Sequence, residues 1–136
     1  MRALLVPLAA SLVASAALAQ STFVERDAER LKGLLAGRTA GRPEQCLPLL
    51  RGLNSIRFAD GTLLYSRSNS AKGDQTVWRN QPYGGCAPGR RDVAMVTQRP
   101  QNQACRGDIV QLFDAVTRIP LGSCVLSEFT PYTRPE

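Results

Sequence analysis

The chain has 136 residues, 43% of them hydrophobic, and carries 17 Lys plus Arg against 11 Asp plus Glu, for a formal net charge of +6. It contains no histidine, which excludes imidazole-activated serine or cysteine nucleophiles, the usual zinc hydrolase sites and the commonest general base near neutral pH. One domain fits this length, and catalysis would fall to carboxylates, a tyrosine or one of the two lysines, Lys32 and Lys72.

The first residues read as a secretory signal. Met1-Arg2 is a short basic start, Ala3 to Leu18 is almost uninterruptedly apolar, and Ala17-Leu18-Ala19 supplies small residues before Gln20. A membrane span needs about 20 apolar residues, and Pro7 and the polar Gln20-Ser21-Thr22 stand against one. Cleavage after Ala19 leaves 117 residues and, with Arg2 lost, a formal charge of +5. The residue directly after the cleavage point is Gln20 rather than a cysteine, which argues against a lipid anchor, and no transmembrane segment is expected in the remainder. The expected location is periplasmic or secreted. The predicted organisation is a signal peptide over 1–19, an N-terminal helix and linker over 20–44, and a disulfide-stapled β domain over 45–136.

Residues Thr22 to Gly37 predict an amphipathic helix. Thr22 and Glu25 have capping-box spacing, Val24, Ala28, Leu31, Leu34 and Leu35 recur near the helical period, and Gly37 is placed to end it. The charged residues from Glu25 to Lys32 read as a solvated face, and whether the helix packs on the domain is left open. Arg38 to Glu44 reads as a polar linker, followed by a brief helical turn at QCLPLL.

From there the pattern becomes short and extended. SIRFADGTLLYSRS predicts two strands joined by Ala59-Asp60-Gly61, where Asp-Gly supplies hairpin chemistry. QTVWRN, DVAMVTQ, DIVQLFD and SCVLSEF each predict one strand more. Polar loops at Ser68 to Asp74, Gln81 to Arg91 and Arg99 to Gly107 connect them. The expected fold is mainly β within the α+β class: a small antiparallel barrel or sandwich of about six strands preceded by one N-terminal amphipathic helix.

Four well separated cysteines, Cys46, Cys86, Cys105 and Cys124, read in an exported chain as two disulfides. Zinc would favour close cysteine pairs and histidine. Of the three possible pairings the favoured one joins Cys86 with Cys105, across the strand DVAMVTQ, and Cys46 with Cys124, tying the start of the domain to its last strand. Neither a cofactor nor a metal is expected. Tyr83 to Gly89 is glycine-rich but lacks the strand, helix and Lys-Ser/Thr context of a phosphate loop.

The order of LLAGRTAGRPEQCLPL, SIRFADGTLLYSR, VWRNQP with GGC, a cysteine followed by GDIVQLFD, and FTPY resembles a family of small exported bacterial proteins of uncharacterised function. The resemblance covers nearly the whole mature chain. It implies export and one disulfide-containing β domain, and it brings no activity and no catalytic residues.

Three constellations bear on function. Fifteen of the seventeen basic residues are arginine, and Arg67, Trp78, Arg79, Arg90, Arg91 and Arg106 are the candidate binding residues, since guanidinium groups beside rings suit planar anionic partners. The bland reading takes arginine as a compositional bias and Trp78 as a core anchor. Asp108 and Asp114, six residues apart, would share a face of an unbroken strand and are the candidate pair for a carboxylate-dependent hydrolase; the alternative is that each caps a strand end. Arg106-Gly107-Asp108 spells an adhesion tripeptide, weighed against a turn held by Cys105. No catalytic residue is assigned. The favoured reading is an envelope protein that binds or scaffolds without catalysis through Arg-rich loops, its partner an anionic envelope polymer or an envelope protein rather than a specific nucleic acid. A hydrolase acting on an envelope polymer is the alternative.

Overall fold

A computed structural model describes residues 11–48, 53–97 and 102–136. Among them are one helix, α1 (Ser11–Leu35), and ten strands: β1 (Thr39–Ala40), β2 (Cys46–Pro48), β3 (Asn54–Arg57), β4 (Leu63–Ser66), β5 (Thr76–Asn80), β6 (Val93–Thr97), β7 (Gln103–Cys105), β8 (Ile109–Asp114), β9 (Pro120–Val125) and β10 (Phe129–Thr133). They form a five-stranded sheet in the order β1-β10-β5-β4-β3, a pair β2-β7 and a three-stranded sheet β6-β8-β9, with antiparallel pairing throughout.

The molecule is mainly β, as expected, but the six-stranded barrel or sandwich is not what forms. The reason is visible in β4. A sheet with one solvent face alternates apolar and polar residues, whereas Leu63, Leu64, Tyr65 and Ser66 are all buried. The five-stranded sheet is therefore a central layer that needs cover on both faces. Leu63, Tyr65 and Phe129 join Leu47, Ala104, Val110, Leu112 and both residues of the Cys86–Cys124 bridge in one core. Leu64 and Val77 face the other way and pack with Phe58, Ala71 and the helix residues Leu31 and Leu34. Helix α1 thus docks on the sheet.

The helix starts upstream of the expected capping box, so Thr22 and Glu25 lie within it rather than at its beginning. Ala and Leu dominate the preceding residues, and their high helix propensity favours continuation over a new start. At the other end Gly37 adopts φ +71°, and the Arg38 side chain donates to the carbonyls of Leu34, Gln75 and Ala71. One guanidinium therefore closes the helix C-terminus and ties it to the 68–75 loop.

The β3–β4 hairpin forms around the predicted turn. Asp60 accepts from the Thr62 N–H and hydroxyl. Gly61 combines φ +88° with a space in which a Cβ would meet the Cys86 backbone nitrogen at 3.1 Å, so glycine is required twice over.

Three other expectations change. QCLPLL does not make a helical turn at its start: Cys46–Pro48 is β2, paired with β7 inside a segment read as loop; Leu49 and Leu50, like residues 99–101, lie outside the described residues. The linker contains β1, whose Thr39 and Ala40 face Thr133 and Tyr132. SCVLSEF divides, because buried Asn80 donates to the Ser127 carbonyl and accepts its N–H, which holds Leu126 to Glu128 out of either strand. The disulfides also differ from the favoured pairing. They join Cys46 with Cys105 and Cys86 with Cys124. Antiparallel pairing of β2 with β7 sets Cys46 directly opposite Cys105, with Cα atoms 4.0 Å apart, while Cys86, on the 81–91 loop, is bonded to Cys124 instead.

Candidate functional site

The predicted binding arginines do not converge on one surface. Arg67 and Trp78 line a recess of about 370 Å³ with Asp74, Gln75 and Thr76; Trp78 is half-buried and packs on the disulfide-side core. Arg79, next along β5, points to the opposite face and lines a different recess. Arg90 pairs with Asp114, and Arg106 pairs with Glu128 at 3.2 Å. These last two are spent on intramolecular partners.

Arg91 is where the basic residues gather. It lines a depression of about 390 Å³ between α1 and the loop before β6, together with Phe23, Arg26, Asp27, Arg30 and Arg57. Positions 23, 26, 27 and 30 recur at helical spacing and share one side of α1, just N-terminal to the buried Leu31 and Leu34. Two contacts hold this end of the helix on the sheet. Asp27 Oδ2 accepts the Ala59 N–H at 2.7 Å, and the Arg30 guanidinium lies 5.7 Å from the Phe58 ring centroid.

The guanidinium groups are held in place. Arg57 donates to the carbonyls of Cys86 and Arg90, which anchors the 86–91 loop to the end of β3. Burial pushes the Arg57 pKa down, and Asp27 opposes that shift; arginine stays charged regardless. Arg91 stacks over Phe23 with its guanidinium carbon 4.3 Å from the ring centroid, a cation–π contact that fixes a cation at the rim. Among the described residues four arginines therefore surround a depression with one carboxylate, and that carboxylate already accepts a backbone N–H. The sequence predicts a solvated face for the charges of α1; the 23/26/27/30 spacing is its local signal for a shared helix side, and the approach of Arg57 and Arg91 is set by the fold.

The two aspartates do not meet. Asp108 precedes β8 and Asp114 ends it, a separation of roughly 20 Å at about 3.3 Å per residue, against about 5–10 Å for a glycosidase pair. Each has a structural task. Asp114 is buried, and its Oδ1 accepts the N–H groups of Thr117 and Val116 at 2.8 and 2.9 Å. Those bonds, with smaller help from Arg90 and against the effect of burial, hold its carboxyl below the usual carboxylate range. Asp108 Oδ2 accepts the Cys105 N–H at 2.8 Å, and the Asp108 N–H returns to the Cys105 carbonyl. With Gly107 at φ +93°, Arg106-Gly107-Asp108 is a tight turn, and its backbone bonds to Gln45 and Leu126 hold it on neighbouring segments.

Among the described residues no group of three His, Cys, Asp or Glu side chains could hold a metal ion, and no helix is long and apolar enough to cross a membrane. Compared with family models, characterised proteins and solved structures, the chain matches none. The candidate site therefore stands on its own geometry.

Proposed function

We propose that the protein is an exported, disulfide-stapled envelope module, of the kind its motif order resembles, that binds an anionic cell-envelope polymer without catalysis through Arg26, Arg30, Arg57 and Arg91. The observation that carries this reading is the depression lined, among the described residues, by four arginines and a single, already occupied, aspartate. A recess walled by one sign of charge concentrates counter-charged ligands, and the contacts to Phe23, Phe58 and two carbonyls orient three of the four cations in advance of binding. Two disulfides among the described residues fit an oxidising compartment. Cleavage after Ala19 would leave every residue of the cluster on the mature chain.

Co-sedimentation with isolated envelope material tests the reading. Binding is expected to weaken by at least about tenfold between 0.05 and 0.5 M salt, as the Debye length shrinks. An Arg26→Gln/Arg91→Gln double variant should lose it at low salt while melting at an unchanged temperature. Retention that ignores both salt and the double variant would sink the proposal.

A further inference from the structure

A second recess, sharing no lining residue with the arginine cluster, has a different chemistry. It encloses about 320 Å³ over β5 and β10, within the range of small-molecule sites. Arg79 lies on its floor, directly opposite Thr130 in the β5–β10 register. The Arg79 Nε–H is shielded from solvent and has no acceptor among the described residues. A buried donor without an acceptor is rare in folded proteins and calls for an explanation, an unsupplied partner for this guanidinium being one.

The neighbours narrow what that partner is. Glu128, the one carboxylate lining this recess among the described residues, directs Oε1 to Arg106 Nη1 and Gln45 Nε2. Among the described residues one cation beside one carboxylate suits a singly charged ligand, where the four-arginine depression suits a polyanion. The planar guanidinium fork matches a carboxylate in two parallel hydrogen bonds. Tyr83 and Tyr132 add two rings, and Thr130 and Gln81 add hydroxyl and amide groups. Tyr83 is 55% exposed, yet its backbone is clamped to Val125 by two hydrogen bonds of 2.8 and 3.0 Å. An exposed ring on a fixed backbone is a surface on which the apolar face of a sugar can lie.

We propose that this recess binds a carboxylate-bearing sugar unit, with Arg79 gripping the carboxylate, Tyr83 covering the ring and Thr130 and Gln81 reading hydroxyl groups. The site is independent of the arginine cluster, and so is its test. The oxidised protein is titrated with D-glucuronate by NMR, with D-glucose, acetate and inorganic phosphate as comparison probes. Glucuronate should move the resonances of Tyr83, Thr130 and Tyr132, and the other three probes should bind at least about tenfold more weakly, because each lacks the sugar, the carboxylate or both. Arg79→Gln should weaken glucuronate at least about tenfold. Tyr83→Ala, which removes an exposed ring and keeps the backbone clamp, should weaken it without lowering the melting temperature, and it decides the matter if Arg79→Gln does not fold. Arg26→Gln/Arg91→Gln should change nothing here. Absence of glucuronate binding, equal binding of glucose, acetate or phosphate, or glucuronate affinity unchanged in Tyr83→Ala overturns the assignment.

Discussion

One face of the five-stranded sheet buries Leu63, Tyr65 and Phe129 against segments tied down by two disulfides. The other buries Leu64 and Val77 beneath a helix that contains no cysteine. On the first face, bridges spanning 59 and 38 residues limit how far the unfolded chain can expand, and a T-shaped contact between Tyr65 and Phe129 with centroids 5.5 Å apart adds specific packing. On the second, a few apolar side chains with Asp27, Arg30 and Arg38 hold the helix. Covalent closure lets short, proline-containing strands form a core, whereas the helix depends on packing that can be undone locally. The arginine cluster straddles the boundary: Phe23, Arg26, Asp27 and Arg30 come from the helix, and Arg57 and Arg91 from the sheet and its loop.

The difference can be tested from both sides. Replacing Cys86 and Cys124 together by alanine is expected to cost about 4 kcal/mol, from the loop-closure estimate for a bridge of this span. Urea denaturation of the variant against the oxidised parent measures it, and an unchanged midpoint would mean that the stapled face stands without its staple. Leu34→Ala, on the helix face, should cost about 2–4 kcal/mol. Its signature is local: hydrogen exchange should accelerate across Thr22 to Leu35 while β8 keeps its protection, and envelope binding should fall with the helix. Equal acceleration in both regions would show that the two faces unfold as one unit.

The smallest effect concerns pH and the edge of the stapled face. Asp114 has a depressed folded-state pKa, so its contribution is present above the unfolded value of about 3.9 and is lost as pH falls through the folded value. The parent should therefore lose stability below about pH 4, and Asp114→Asn should be less stable at pH 7 and show a shallower decline on acidification. Melting curves from pH 7 to pH 3 check this. Parallel curves for the two proteins would remove Asp114 from the acid response.

What could be read along the chain was local. The Asp60-Gly61 turn and the strands in TVWRN, VAMVT and IVQLFD are set by neighbouring residues, through glycine at positive φ, β-branched side chains and punctuating polar residues. The turn at Arg106-Gly107-Asp108 was legible for the same reason, and so was the end of α1 at Gly37. The bland readings of Asp108 and Asp114 as caps also rested on local chemistry, and both side chains do accept neighbouring N–H groups. Strands of two or three residues were not legible, because β1, β2 and β7 exist only through partners about 60 to 90 residues away.

The sequence by itself determined a histidine-free, arginine-rich, mainly β chain with four half-cystines and a helix ahead of its strands. Tertiary structure alone decided which cysteines join, which arginines gather and which are spent on Asp114 and Glu128. The physical reason is that disulfides and charge clusters are set by distance in space. Here that distance depends on strand register and on the docking of α1, neither of which any short segment encodes.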